Sequence, residues 1–136
     1  MKSIAPGSSH DAKRMVGLTL IEVNVRVQSV DFVLLNGDTW GSLQIWKKFT
    51  YTLPDGTEGY FDPAVIYKPG DGFSGNFVLL RGTICSDIHL DESGMVVRFE
   101  TLGEISLDFE EFDFDPLQIW GWDGPNRDVL VFWHVV

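Results

Sequence analysis

The chain predicts an all-β fold: a single small domain of antiparallel hairpins, packed as a sandwich or a partly open barrel, with two halves that read alike. Three observations carry that prediction. Apolar and polar residues alternate over Thr19–Val27 and again over Ile105–Phe109, the period of a half-buried strand. Turn-forming stretches (Asn36-Gly37, Pro54-Asp55-Gly56, Asp91-Glu92-Ser93-Gly94, Asp123–Arg127) recur at short intervals. No stretch shows the 3.6-residue periodicity of an amphipathic helix of normal length.

Taken in order, Thr19–Val27 alternates Ile21, Val23, Val25 and Val27 against Leu20, Glu22, Asn24 and Arg26, which predicts two distinct strand faces. Val30–Leu35 is an apolar run ending at Asn36-Gly37, two residues that tolerate the positive φ of a type I′ hairpin turn. The return strand, about Thr39–Trp46, has Trp40, Leu43 and Ile45 out of phase, so an irregularity is expected near Gly41-Ser42. Phe49–Leu53 and Thr57–Phe61 read as a second hairpin around Pro54-Asp55-Gly56, ended by Asp62-Pro63, and Pro63–Tyr67 as a short helical turn. The Gly-rich Lys68–Asn76 is the expected joint between halves, followed by the short apolar Phe77–Leu80.

Thr83–Leu90 reads as a strand with Ile84, Ser86, Ile88 and Leu90 on one side and His89 outward. Met95–Glu100 returns, and Thr101-Leu102-Gly103 turns into Glu104–Phe109. Glu110-Glu111 then shifts the alternation by one residue before Phe112 and Phe114, which a bulge would absorb. Leu117–Trp122 and Asp128–Val135 close the chain as strands. The segments Leu20–Ile45 and Thr83–Leu107 share one order of strands and turns, aligning Ile21 with Ile84, Val25 with Ile88 and Phe32 with Met95. The expected organisation is a lead over residues 1–14, with Met15 an equally sensible start for the fold, and one domain over 15–136. Its halves are 18–67 and 77–136.

Composition narrows the function. The chain has 136 residues, enough for one independently folding core, and its 44% hydrophobic and 13% aromatic content excludes general disorder. Formal net charge is −10, all of it held by residues 83–136, where two basic residues face twelve acidic ones. Such a balance argues against nucleic-acid and anionic-membrane partners, which need a basic face. It suits a basic protein partner. Cys85 is alone, so no internal disulfide forms, and no signal-peptide core or membrane-length apolar run is present. The expected location is the cytoplasm.

The acidity peaks in Asp108, Glu110, Glu111, Asp113 and Asp115, with Trp120 and Trp122 following. Aromatic anchors beside a charged rim are the composition of a protein-binding hot spot. A solvated edge that discourages aggregation, and core packing for the Trp residues, are the plainer readings of the same residues. Catalytic, metal and cofactor sites are not expected. His10, His89 and His134 lack metal-ligand spacing, and Cys85 and His89, four residues apart on a strand, are too distant to share an ion directly. No nucleophile elbow or phosphate loop occurs, and Pro116 interrupts the calcium-loop pattern that Asp113 and Asp115 could begin. Many carboxylates could pair for acid–base work, but no spacing singles out a catalytic pair.

The stretches Arg81–Ile84, Asp91–Phe99 and Trp120–Pro125 together resemble the turn and core pattern of a family of small bacterial all-β proteins, over most of residues 18–134. The acidic run Asp108–Asp115 departs from that pattern. The resemblance implies the fold and transfers no site, since no activity is established for the family. The chain is also similar in size and acidity to immunity proteins that neutralise secreted bacterial toxins. The expected function is therefore a non-enzymatic acidic protein-binding module, most concretely an immunity protein occluding a basic toxin. The alternatives are a small-ligand or carbohydrate-binding β domain using its Trp residues, and an accessory subunit of a larger assembly.

Overall fold

The computed structural model describes residues 12–26, 28–63, 76–109, 117–123, 128–129 and 133–134. They form two antiparallel sheets that share one core. The strands are β1 (Thr19–Arg26), β2 (Ser29–Asn36), β3 (Thr39–Ile45), β4 (Phe49–Thr52), β5 (Glu58–Phe61), β6 (Cys85–Asp91), β7 (Gly94–Phe99), β8 (Glu104–Asp108), β9 (Leu117–Asp123), β10 (Asp128–Val129) and β11 (Trp133–His134). Two short 3-10 helices accompany them, Lys13–Met15 and Asn76–Leu80. One sheet has six strands in the order β1-β2-β3-β9-β10, with β11 also on β9; the other has five, in the order β5-β4-β8-β7-β6. The sheets do not close into a barrel, in keeping with the expected sandwich or partly open barrel of antiparallel hairpins.

The sheets meet through aromatic side chains. Phe32 of β2 and Phe49 of β4 pack edge to face at 5.7 Å, across the core. Phe77, on the second 3-10 helix, sits among both, at 6.0 Å from Phe32, 5.5 Å from Phe49 and 4.9 Å from Phe61. Each such pair adds about 0.5–1.5 kcal/mol beyond the area it buries. The apolar stretch Phe77–Leu80 is thus a plug between sheets: Phe77 and Leu80 are buried while Val78 and Leu79 are exposed.

The sheets are also stitched along one seam. Thr19 bridges Ile84, Cys85 N–H donates to Leu18 C=O, Gly17 N–H to Cys85 C=O, and Leu20 N–H to Thr83 C=O. The starts of β1 and β6 therefore cover each other's edges, which leaves fewer unpaired backbone groups for aggregation.

Each of those strands carries a bulge just past the seam, between Leu20 and Glu22 and between Cys85 and Asp87. A bulge inserts one residue and flips the faces beyond it. Leu20 consequently joins Val23 and Val25 on the core side, while Ile21 is exposed. Strict alternation had placed Ile21 with the valines and Leu20 opposite. In β6, Cys85 is buried with Ile88 and Leu90, and Ser86 is exposed, again contrary to strict alternation. The same bulge separates Cys85 from the exposed His89, which alternation had set on one face.

Two further readings change. The β2–β3 turn is Gly37-Asp38, closed by Asn36 opposite Thr39, with Gly37 at φ 60° and Asn36 still in the strand. Its neighbour β3 is regular through Gly41-Ser42. Gly41 is on the core side because the Met15 side chain packs where a Cβ would stand, and Trp40 takes the opposite face. Met15 is 3% exposed and Ala12 0%, so packing begins ahead of Met15, within the stretch read as a lead. β1-β2-β3 and β6-β7-β8 are both three-stranded meanders. Their core residues correspond as Leu20, Val23 and Val25 with Cys85, Ile88 and Leu90, and as Val30, Phe32 and Leu34 with Met95, Val97 and Phe99. That register differs from the alignment of Ile21 with Ile84. The closing strand expected over Asp128–Val135 is described as two short pieces, β10 and β11, both on β9. The expected helical turn after Pro63, most of the Gly-rich joint and the bulge at Glu110-Glu111 lie outside the described residues.

Candidate functional site

The outer face of the five-stranded sheet follows from register. Because side chains alternate, every second residue of β4 to β8 points away from the core. Cross-strand pairing assembles these into rungs. One rung runs Tyr60, Thr50, Ser106, Val96, His89. A second, about 7 Å along the strands, runs Glu58, Thr52, Glu104, Arg98, Asp87. On the other side of the first stand Asp108, Gly94 and Asp91. A mostly neutral rung is therefore flanked by five carboxylates, with Arg98 the one guanidinium among these strand residues.

The face is open. Thr50, Glu58, His89, Arg98 and Asp108 are exposed, Tyr60 to 65%, and the other rung members are half-buried. Lys13 reaches the β6 edge, 3.3 Å from Asp87 and 3.0 Å from Ile88 C=O, and Arg98 Nε lies 3.5 Å from Glu104. Lys48 Nζ stands 4.4 Å from the centre of the Tyr60 ring. Exposed pairs of this kind contribute about 0–1 kcal/mol each. They temper the negative field without burying the carboxylates.

Asp91 is the most organised of the five. Its Oδ1 accepts from Ser93 N–H at 2.8 Å and Ser93 Oγ at 2.6 Å, and Oδ2 lies 2.8 Å from His89 Nε2. The Ser93 bonds, with His89 assisting, hold its carboxyl down at about 2. It is the carboxylate cap of the β6–β7 turn. Gly94 closes that turn because a Cβ there would strike Leu107 C=O on β8.

Of the residues singled out in the sequence, Asp108 lies on this face, at the end of β8. Glu110, Glu111, Asp113 and Asp115 lie outside the described residues. Trp120 and Trp122 belong to β9, in the six-stranded sheet, opposite Ser42 and Trp40. The strand carrying Asp108 and the strand carrying the two Trp thus fall in different sheets, and the expected adjacency does not follow from the topology. Sequence reasoning missed Glu58, Tyr60, Asp87, Asp91 and Glu104 as members of one surface. Each occupies an ordinary polar position of its own strand, and only the pairing of β5-β4-β8-β7-β6 gathers them. The exposed alternate residues of each hairpin were the available signal.

Cys85 is 1% exposed, and burial pushes its thiol up to about 12, so it stays protonated and inert. Among the described residues no group of three or more His, Cys, Asp or Glu is placed to hold a metal ion. No helix among them is long and apolar enough to cross a membrane. No protein-family model matches the chain, and neither a curated protein nor a solved structure matches it.

Proposed function

We propose that the protein is a non-enzymatic acidic protein-binding module, in the manner of an immunity protein that occludes a basic toxin. The observation that supports this reading is the uncovered face of the five-stranded sheet, where five carboxylates border a neutral rung. Strand backbone groups are used in the ladders, so a partner on this face meets side chains only. Basic residues on the partner gain from the field during approach and are steered to the face, while the neutral rung supplies a surface that can be desolvated cheaply. Occlusion of this kind needs a rigid platform and complementary charge, and no reaction. The −10 net charge acts in the same direction at longer range.

The experiment is co-expression with the product of the adjacent reading frame, followed by affinity measurement on the triple variant Glu58→Lys, Glu104→Lys, Asp108→Lys. The reading predicts a complex that weakens as salt rises from about 50 mM to about 500 mM, because the Debye length shrinks below the spacing of the charges. It predicts a loss of roughly tenfold or more in affinity for the triple variant. A complex indifferent to both salt and charge reversal refutes it.

A further inference from the structure

The outer face of the six-stranded sheet is built differently. Ser29, Asp31 and Val33 of β2 and Ser42 of β3 point away from the core yet are 1%, 4%, 8% and 2% exposed. Asp31 stands between Asn24 of β1 and Gln44 of β3. Arg26 Nε donates to its Oδ2 at 2.7 Å, whereas its Oδ1 has no hydrogen-bond partner among the described residues. A desolvated carboxylate satisfied on one oxygen only is a costly group. Arg26 itself is 60% exposed and is held to this face by that one bond. Gln44 Nε2 leans to Ser29 Oγ at 3.4 Å.

We propose that Asp31 and Arg26 form a proton-operated latch on the β1–β2 hairpin, in which uptake of a proton at Asp31 releases Arg26 to solvent. The proton comes from water and settles on Oδ1, the oxygen that Arg26 does not hold. The carboxyl becomes neutral, Arg26 loses its charged acceptor, and water takes over the exposed guanidinium at little cost. Among the described residues the charged groups acting on Asp31 are on β1: Arg26, which favours the carboxylate, and Glu22, which disfavours it. The flanking residues of β2 (Ser29, Val33) and β3 (Ser42, Gln44) carry no charge. Burial outweighs Arg26 and the Gln44 amide, both of which favour the carboxylate, so the Asp31 carboxyl is raised above its ordinary 3.8. The fold therefore favours the protonated form, and as pH falls the latch opens before free carboxylates titrate. This inference is independent of the proposed binding face, which lies on the other sheet.

The test follows the Asp31 carboxyl carbon and the Arg26 Nε–H by NMR in the full chain, from about pH 7 to about pH 3. The latch predicts that Arg26 Nε–H is protected from exchange at neutral pH and loses protection with the same midpoint as Asp31, above 3.8. Asp31→Asn shows the released Arg26 signal already at neutral pH. Arg26→Gln, which keeps Asp31 and removes its cation, moves the Asp31 midpoint further up. An Arg26 signal unchanged through the Asp31 titration, an Asp31 midpoint at or below 3.8, or a midpoint unmoved by Arg26→Gln overturns the proposal.

Discussion

Asp91 and Asp31 show how one residue type acquires opposite meanings. Asp91 is accessible and accepts bonds from Ser93 that its ionised form makes best, so its carboxyl is depressed to about 2. The stability it lends is complete above 3.8, the unfolded value, and is lost as pH falls through its folded value. Asp31 is desolvated and raised, so the stability linked to it is complete below 3.8 and declines as pH rises through its folded value. Urea unfolding of wild type and Asp91→Asn from about pH 5 to about pH 2 is the check. The wild-type advantage is expected to hold down to 3.8 and to shrink from there toward about 2. A constant difference would mean that the Ser93 bonds do not distinguish the two protonation states. Neither behaviour was legible in the sequence, where both are acids in strands of mixed polarity. The difference lies in neighbours supplied by pairing.

At the scale of the element, most strands were legible and their faces were less so. β1, β2, β6, β7 and β8 stand close to where alternation and turn chemistry placed them, because exposed and buried positions must alternate on a half-covered sheet. Bulges defeat that rule locally. Nothing in Leu20-Ile21-Glu22 announces an extra residue; the bulge arises where β1 leaves the seam with β6, a tertiary event. Its consequence is measurable. Leu20→Ala is expected to cost about 2–5 kcal/mol, as for a fully buried leucine, and Ile21→Ala about 0.5 kcal/mol or less, as for a surface change. Denaturant midpoints at constant m-value decide it. Equal costs would restore the simple alternation. The β2–β3 turn teaches the same lesson: Asn36-Gly37 marked a hairpin, but the ladder extends through Asn36 and places the turn at Gly37-Asp38.

For the whole molecule, the two sheets hold together through one aromatic cluster and one seam. Phe77 joins both sheets, so Phe77→Ala is expected to cost about 3–5 kcal/mol and to lower the transition of both sheets together, as a single cooperative unit. Separate transitions reported from β2 and β7 amides would contradict a shared core. Charge distribution belongs to this scale too. The acidity of the second half was plain in the sequence, but the surface it makes was not. Asp87, Asp91, Glu104 and Asp108 converge only because β6, β7 and β8 pair as a meander, and Glu58 joins them only because β4 pairs with β8. Two other acids of that half, Glu92 and Glu100, stand at turns and outside the rungs.

In the function proposed above, a basic protein docks on the open face of the five-stranded sheet. Amide chemical-shift mapping of the labelled protein with its co-expressed partner tests it most directly. The expected footprint covers Thr50, Val96, Arg98 and Ser106, with Ser29, Asp31 and Ser42 unmoved; a footprint confined to the six-stranded sheet would contradict the assignment.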